Sequence, residues 1–414
     1  MLNWLGITIG AIQHRSIDIL LDVTNELSNE SQATILGRSK KSDLLSAVLI
    51  NGTASHIFDY DDTHLDTVHH PSGPVAPVVF ALGEKYNIAP RELLRAFILG
   101  CEVELRISNA ISPSHYQKGF HITSSTGVFG AAVAAGIILD LSEEEMAMCL
   151  GLAGTQSFGL REMFGTMTKP FHPGKAAQNG LLSVLLARKG FTSSMHVLEA
   201  KRGFLNVYSP ESQPERILEE WGSTWEIEKN AFKPYACGIV LHPSIDACIQ
   251  LSEFATPEEV KEIRLKVHPY VLELTGKENP TTGLEGKFSI FHTCAVSFIE
   301  KDASENQFQD QVVTHPKVIE LRKKIKPYTD PQIAKDTVSA VLIKQDGGKH
   351  NVYIKHATGS LENPMTKAML VAKFTKLCSN ILTESQIAHV IKDVSRFEGL
   401  NTLDQLLCNI RSVQ

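Results

Sequence analysis

Gly127-Val-Phe-Gly-Ala-Ala-Val-Ala-Ala-Gly-Ile-Ile-Leu139 has no polar side chain anywhere along it. A helix with this pattern offers no face to water, so it must be buried on several sides. The small residues from Gly130 to Gly136 let a second helix backbone come close. Residues 92–110, 143–153 and 174–186 carry apolar side chains around most of their circumference too, which makes the first 200 residues a large helical body. Residues 1–11 are apolar but lack a basic flank and are too short to cross a bilayer, so they are expected as a buried helix. Glu102 and Arg106, one turn apart on an apolar helix, are expected to form a buried structural pair.

Beyond about residue 229 the pattern changes. Ile263-Arg-Leu-Lys-Val267 alternates like a strand. Thr337-Val-Ser-Ala-Val-Leu-Ile343 and Asn351-Val-Tyr-Ile354 flank Asp346-Gly-Gly348, a turn suited to positive φ. Helices return near the end, with Asn363-Pro364 expected to open one and Thr383 and Gln386 to box the next. The expected fold is therefore mostly α. A discontinuous all-helical domain spans 1–228 and 362–414, and an α+β domain over 229–361 is inserted before the C-terminal helices.

The formal charge of −6 over 414 residues gives no general attraction to nucleic acid or anionic membranes, so an anion must be held by a local cluster. Seven scattered cysteines, never spaced Cys-x-x-Cys, fit reduced thiols in a cytoplasmic protein better than a disulfide framework or a zinc knuckle. Gly154-Thr-Gln-Ser157-Phe-Gly159 lacks the first glycine of a nucleophile elbow, and Glu278 follows Gly276-Lys277 where a phosphate loop needs Ser or Thr. No Gly-x-Gly-x-x-Gly follows a strand.

What stands out is the run from His56 to Gly73, with four aspartates and four histidines between two apolar stretches. Polar groups next to a core need partners, and clustered acids and imidazoles serve proton transfer or metal binding. Further along, Lys169 and His172 are expected in a loop just before a helix over 175–186, where the helix N-terminus also attracts anions. His121 opens another helix, and Lys233 and His242 stand where the helical part hands over to the α+β part, an interdomain position where ligands commonly bind. Two readings follow from the residues: a cleft for an anionic substrate with a proton donor beside it, or Asp59, Asp61, Asp62, His64 and His70 as ligands of Mn, Fe or Zn in a hydrolase. A catalytically inert helical scaffold is the third.

His56-x-x-Asp59-Tyr-Asp-Asp62-Thr63, His70-Pro-Ser-Gly73, Thr168-Lys169-Pro-Phe-His172-x-Gly174-x-Ala-Ala177 and Lys233-Pro-Tyr with a histidine nine residues on closely resemble the MmgE/PrpD family over essentially the whole chain. That family includes 2-methylcitrate dehydratase, cis-aconitate decarboxylase and iminodisuccinate epimerase. The resemblance implies a large helical domain with a smaller α+β lid, a homodimer, a small di- or tricarboxylate substrate, and neither metal nor organic cofactor. It implies His70, Asp59 and Thr63 as catalytic residues, with His121, Lys169 and Lys233 holding substrate. The family's commonest named activity makes a 2-methylcitrate dehydratase-like hydro-lyase the leading expectation, with decarboxylase and epimerase as alternatives. Removing Lys169 or Lys233 is expected to affect chemistry and leave stability nearly unchanged. The resemblance also implies an amphipathic helix ahead of residues 1–6, and a tyrosine where this chain has Phe291 beside His292, which would bring a new imidazole to the substrate.

Overall fold

A computed structural model describes residues 1–411. The fold is mostly α, and the chain forms two compact units. The helical unit comprises Met1–Ile57, Asp61–Ala231 and Lys367–Gln414, whose last three positions, expected in the C-terminal segment, lie outside the described residues. The second unit comprises Phe232–Thr366 and, unannounced by any sequence pattern, Phe58–Tyr60.

In the helical unit, Gly127–Ile138 is buried against Pro90–Ile111, Ser72–Tyr86 and Thr168–Ala187. The approach depends on Gly130, where an added Cβ would lie 2.8 Å from the Gly100 carbonyl and closer still to the Glu104 carboxyl. Helix Leu44–Ala54 crosses Thr168–Ala187 as tightly, since a Cβ on Gly52 would stand 2.6 Å from the Gly174 Cα. The two ends of the chain meet in one core. Helix Leu2–Gly10 packs on Lys367–Cys378, Trp4 and Phe374 are buried in the same cluster as Phe80, Phe97 and Phe397, and Lys373 Nζ donates to Asn3 Oδ1 at 2.7 Å. Glu102 and Arg106 form the expected buried pair at 2.6 Å, and Arg106 also donates to the carbonyls of Glu219 and Thr224. No helix among the described residues is long and apolar enough to cross a membrane.

Three expectations change. The helical unit is not purely helical: Ala33–Thr34 pairs with Lys41–Ser42, and Thr63–His64 with Asn230–Ala231, each antiparallel. Lys169 and His172 lie within helix Thr168–Ala187, not in a loop ahead of it. Pro170 falls in the first turn, where the amide has no intrahelical partner to lose, and Pro173 removes a single bond. The late helix begins at Lys367 instead of Pro364. The Asn363 carbonyl accepts from Gly359 N, closing a turn with the acceptor a helix start would have needed.

The second unit holds a four-stranded sheet in the order Ile325–Thr329, Val260–Val267, Val338–Lys344, Lys349–Ile354, parallel in the first pair and antiparallel thereafter. Val260, Ile263, Leu265 and Val267 are buried along the second strand, and helices His242–Leu251 and Ile290–Glu300 pack with the sheet. Gly347, at φ 89°, turns the last hairpin. Phe58–Tyr60 is tied into this unit by Lys287 Nζ on the Phe58 carbonyl at 2.7 Å and by the Tyr60 hydroxyl on the Pro234 carbonyl. His292 is fully buried here, its Nε2 2.9 Å from the Gln307 carbonyl and its Nδ1 facing Arg322. Burial, above all, lowers its pKa to about 4. It is a core histidine of the α+β unit, which corrects the expectation of a substrate-facing imidazole.

Candidate active site

Helix Leu44–Ala54 ends just before His56, and the chain returns to helix at Ser72. Between them, in the helical unit, the Thr63–His64 pairing with Asn230–Ala231 and a bond from His64 N to the His69 carbonyl at 2.8 Å shape the loop. Val68 sits at φ 57°, a strained conformation for a β-branched residue, immediately before the two adjacent histidines.

The His70 ring is fixed from one side. Its Nδ1 lies 3.0 Å from the Asp62 carbonyl and 3.1 Å from Thr63 Oγ1, while its backbone N donates to Thr123 Oγ1. A carbonyl can only accept, so Nδ1 carries the hydrogen and Nε2 of the neutral ring holds the lone pair. His56 is fully buried between opposite charges. Its Nδ1 is 2.6 Å from Asp61 Oδ2 and its Nε2 3.0 Å from Lys169 Nζ. The other Asp61 oxygen stands 3.8 Å from His70 Nδ1. The His56 ring centroid is 4.8 Å from that of His70 and 5.6 Å from that of His121.

Lys169 reaches this cluster from the first turn of helix Thr168–Ala187, 5% exposed and with its ammonium 5.3 Å from the Phe164 ring centre. One turn on, His172 meets His121 with the two Nδ1 atoms 2.9 Å apart, a distance at which the pair shares one hydrogen. Burial and then Lys169 lower the pKa of His172 to about 4. His121 is held well below its usual range, by burial first and then by His172, His56, Lys169 and His70. Both rings are neutral at pH 7, and a neutral His121 can hydrogen-bond an anion without adding charge.

His70, Thr63, His121 and Lys169 thus come together in the helical unit. Asp59 and Lys233 come together in the second unit as a buried ion pair: Lys233 Nζ donates to Asp59 Oδ1 and to the Asp59 carbonyl, both at 2.9 Å. His56 and His172 stand in the quoted motifs without an assigned catalytic role, and Asp61 was expected only as a metal ligand; their signal was position within those motifs.

Two of the five residues of the metal-ligand reading, His64 and Asp62, are turned to other partners. His64 gives Nδ1 to Thr67 and Nε2 to Glu226, and that bond is the chief reason Glu226 titrates at about 2. Asp62 accepts from Ser72 Oγ at 2.8 Å and Asn230 Nδ2 at 2.7 Å. Among the described residues, ring nitrogens of His56, His70 and His121 do lie within 4.8 Å of one another and could hold a metal ion. Both nitrogens of His56 already face Asp61 and the Lys169 ammonium, so a cation there would meet a buried like charge.

The fold and site define a mostly α protein whose helical unit carries a buried His/Asp/Lys cluster suited to anions and protons, with an α+β unit inserted in the chain. The chain belongs to the MmgE/PrpD family: residues 1–217 match the MmgE/PrpD N-terminal domain and residues 235–396 the MmgE/PrpD C-terminal domain. Among similar proteins, a cis-aconitate decarboxylase of Aspergillus terreus (strain NIH 2624 / FGSC A1156) is 27% identical, covering 91% of this chain and 84% of its own. The cis-aconitate decarboxylase of Mus musculus is 28% identical (90% and 80%), and that of Homo sapiens 28% (86% and 76%).

Proposed function

We propose that this protein is a lyase acting on a small tricarboxylate, and that it decarboxylates a substrate of the cis-aconitate type. The observation that carries the reading is the buried Lys169 ammonium set among His56, His70 and His121, with His70 oriented by Thr63 and the Asp62 carbonyl. The names of the relatives favour decarboxylation over the hydro-lyase expectation, which rested on how common that activity is in the family.

The chemistry follows from the residues. Lys169, with the neutral His121, holds a substrate carboxylate. As a neighbouring carbon–carboxylate bond breaks, CO2 departs and the electron pair moves into the adjacent double bond system. The charge that develops is stabilised by an ammonium fixed in a water-poor site, more in the transition state than in the ground state. His70, as imidazolium, delivers a proton from Nε2 to carbon, and solvent restores it. The Asp61 carboxylate, 3.8 Å from Nδ1, stabilises that imidazolium.

Dehydration is the competing reading, and it needs His70 neutral at the outset, as a base. Incubation with cis-aconitate, 2-methylcitrate and citrate in deuterated water, followed by NMR, separates the two. Decarboxylation yields CO2 and one carbon-bound deuterium per product; dehydration yields an alkene and water from a hydroxy acid. Folded protein that neither turns over nor exchanges any of the three overturns the proposal.

A further inference from the structure

We infer that His56 and Asp61 form a positioning relay for Lys169, aiming its ammonium and keeping it charged. The inference rests on the lyase reading for its consequence in catalysis, and on geometry for its existence.

The hydrogen bonds admit one consistent assignment. An ammonium has only donors, so the His56 nitrogen 3.0 Å from Lys169 Nζ must be the lone pair. The hydrogen of His56 is then on Nδ1 and points at Asp61 Oδ2, 2.6 Å away. Reversing the ring tautomer would set two donors against each other at one end and two acceptors at the other. Asp61 therefore selects the tautomer, and the tautomer presents an acceptor to the lysine. His56 and Asp61 are each fully buried, so water does not substitute for either bond.

The chain reinforces the arrangement. His56 follows helix Leu44–Ala54 by two residues, Lys169 lies on the first turn of Thr168–Ala187, and these two helices touch at Gly52 and Gly174. A long lysine side chain loses much rotamer freedom when held in one geometry. One of its three donors goes to His56. If the proton passed to His56 Nε2, the lysine would be neutral and the charge would sit on the imidazolium beside Asp61. That state places the positive charge against a carboxylate already in the protein and away from an incoming one, so the relay works only with the proton on the lysine.

Two measurements test this. The first needs no substrate: 15N spectra of histidine-labelled protein, with His56→Gln identifying the His56 signals. The expected result is a protonated Nδ1 and an unprotonated Nε2 at neutral pH. The Nε2 signal moves on Lys169→Met, and the single tautomer is lost on Asp61→Asn. An imidazolium, the opposite tautomer, or an Nε2 signal indifferent to Lys169→Met overturns the relay. The second is kinetic. His56→Leu is expected to lower kcat and kcat/KM together, roughly a hundredfold, since the lost contact aims a group that stabilises charge in the transition state. His56→Gln, whose amide oxygen can accept from the lysine, restores most of the rate. In a Lys169→Met background His56→Leu adds nothing; additive effects show that His56 acts independently and sink the proposal. If no substrate turns over, the lyase reading fails while the spectra still decide the relay.

Discussion

Gly174→Ala tests the link between helix packing and chemistry. An alanine here gains about 1 kcal/mol in intrinsic helix propensity. Packing opposes it: the new Cβ would stand 2.5 Å from Thr53 Oγ1 and 2.7 Å from Thr53 N, and nearer still to the Leu49 carbonyl oxygen, where ordinary contacts begin at 3.4 Å. Two of those atoms are backbone and cannot rotate away. The helices must therefore part by about an ångström, at an overpacking cost of about 1–3 kcal/mol that outweighs the propensity gain. The same displacement stretches the 3.0 Å bond between Lys169 and His56, which sit on the two segments that separate, beyond hydrogen-bond range. Misplacement on this scale can cost about 10²-fold in rate. Thermal melting and kcat/KM are the assays, with Gly399→Ala as a control because nothing lies within 4 Å of its added Cβ. Gly174→Ala melting and turning over like wild type would falsify the claim that this crossing sets the site.

Lys233→Ala should cost about 3–5 kcal/mol in stability, measured by urea denaturation, because it removes the ammonium paired with the buried Asp59 carboxylate; this replaces the expectation that stability hardly moves, and recovery is expected in Lys233→Met with Asp59→Leu. His70→Gln should lose roughly 10²–10⁴ in solvent deuterium exchange while His69→Gln stays within a few-fold, and equal loss in both moves the proton to another group. For His292, at about 4 when folded and about 6.5 when unfolded, the unfolded chain binds the extra proton between those values. Its contribution is complete above pH about 6.5 and falls by about 3 kcal/mol towards pH 4, so a urea midpoint unchanged between pH 7 and 4.5 contradicts it. Activity should survive exhaustive EDTA treatment; loss restored by one metal ion would support the three-imidazole metal site instead.

The mostly α fold was legible because its signals are local and repeated. The apolar circumference of 127–138 required burial, and the 337–354 hairpin announced itself by alternation around a Gly-Gly turn. Position relative to prolines was less legible. The motif at Lys169 looked like a loop because Pro170 and Pro173 break helices in the interior, and only the helix start at Thr168 reveals that the first costs nothing. The assignment of Phe58–Tyr60 to the second unit left no trace in the sequence, since it depends on bonds from Lys287 and to Pro234, both more than 170 residues away.

The crowded run from His56 to His70 was taken as one site, and its residues divide by what each one touches. His56 meets Lys169, and Asp61 lies between His56 and His70. Asp59 neutralises Lys233 in the other unit, Asp62 binds Ser72 and Asn230, and His64 links Thr67 to Glu226. Asp66 is exposed, and His69 is buried with both ring nitrogens unpartnered among the described residues, its pKa well below the usual range chiefly through burial. Alternation explains part of this sorting. Asp61 and Asp62, adjacent in sequence, send their carboxylates to different partners, one to the imidazoles and one to the strand pairing that holds the loop. Asp62 accepts His70 Nδ1–H through its carbonyl and anchors Asn230 through its carboxylate, so the residue that pins the loop also sets the tautomer of His70. A carbonyl acceptor is invisible in a motif of side chains, which is why the sequence pointed to His70 without saying which nitrogen carries the hydrogen.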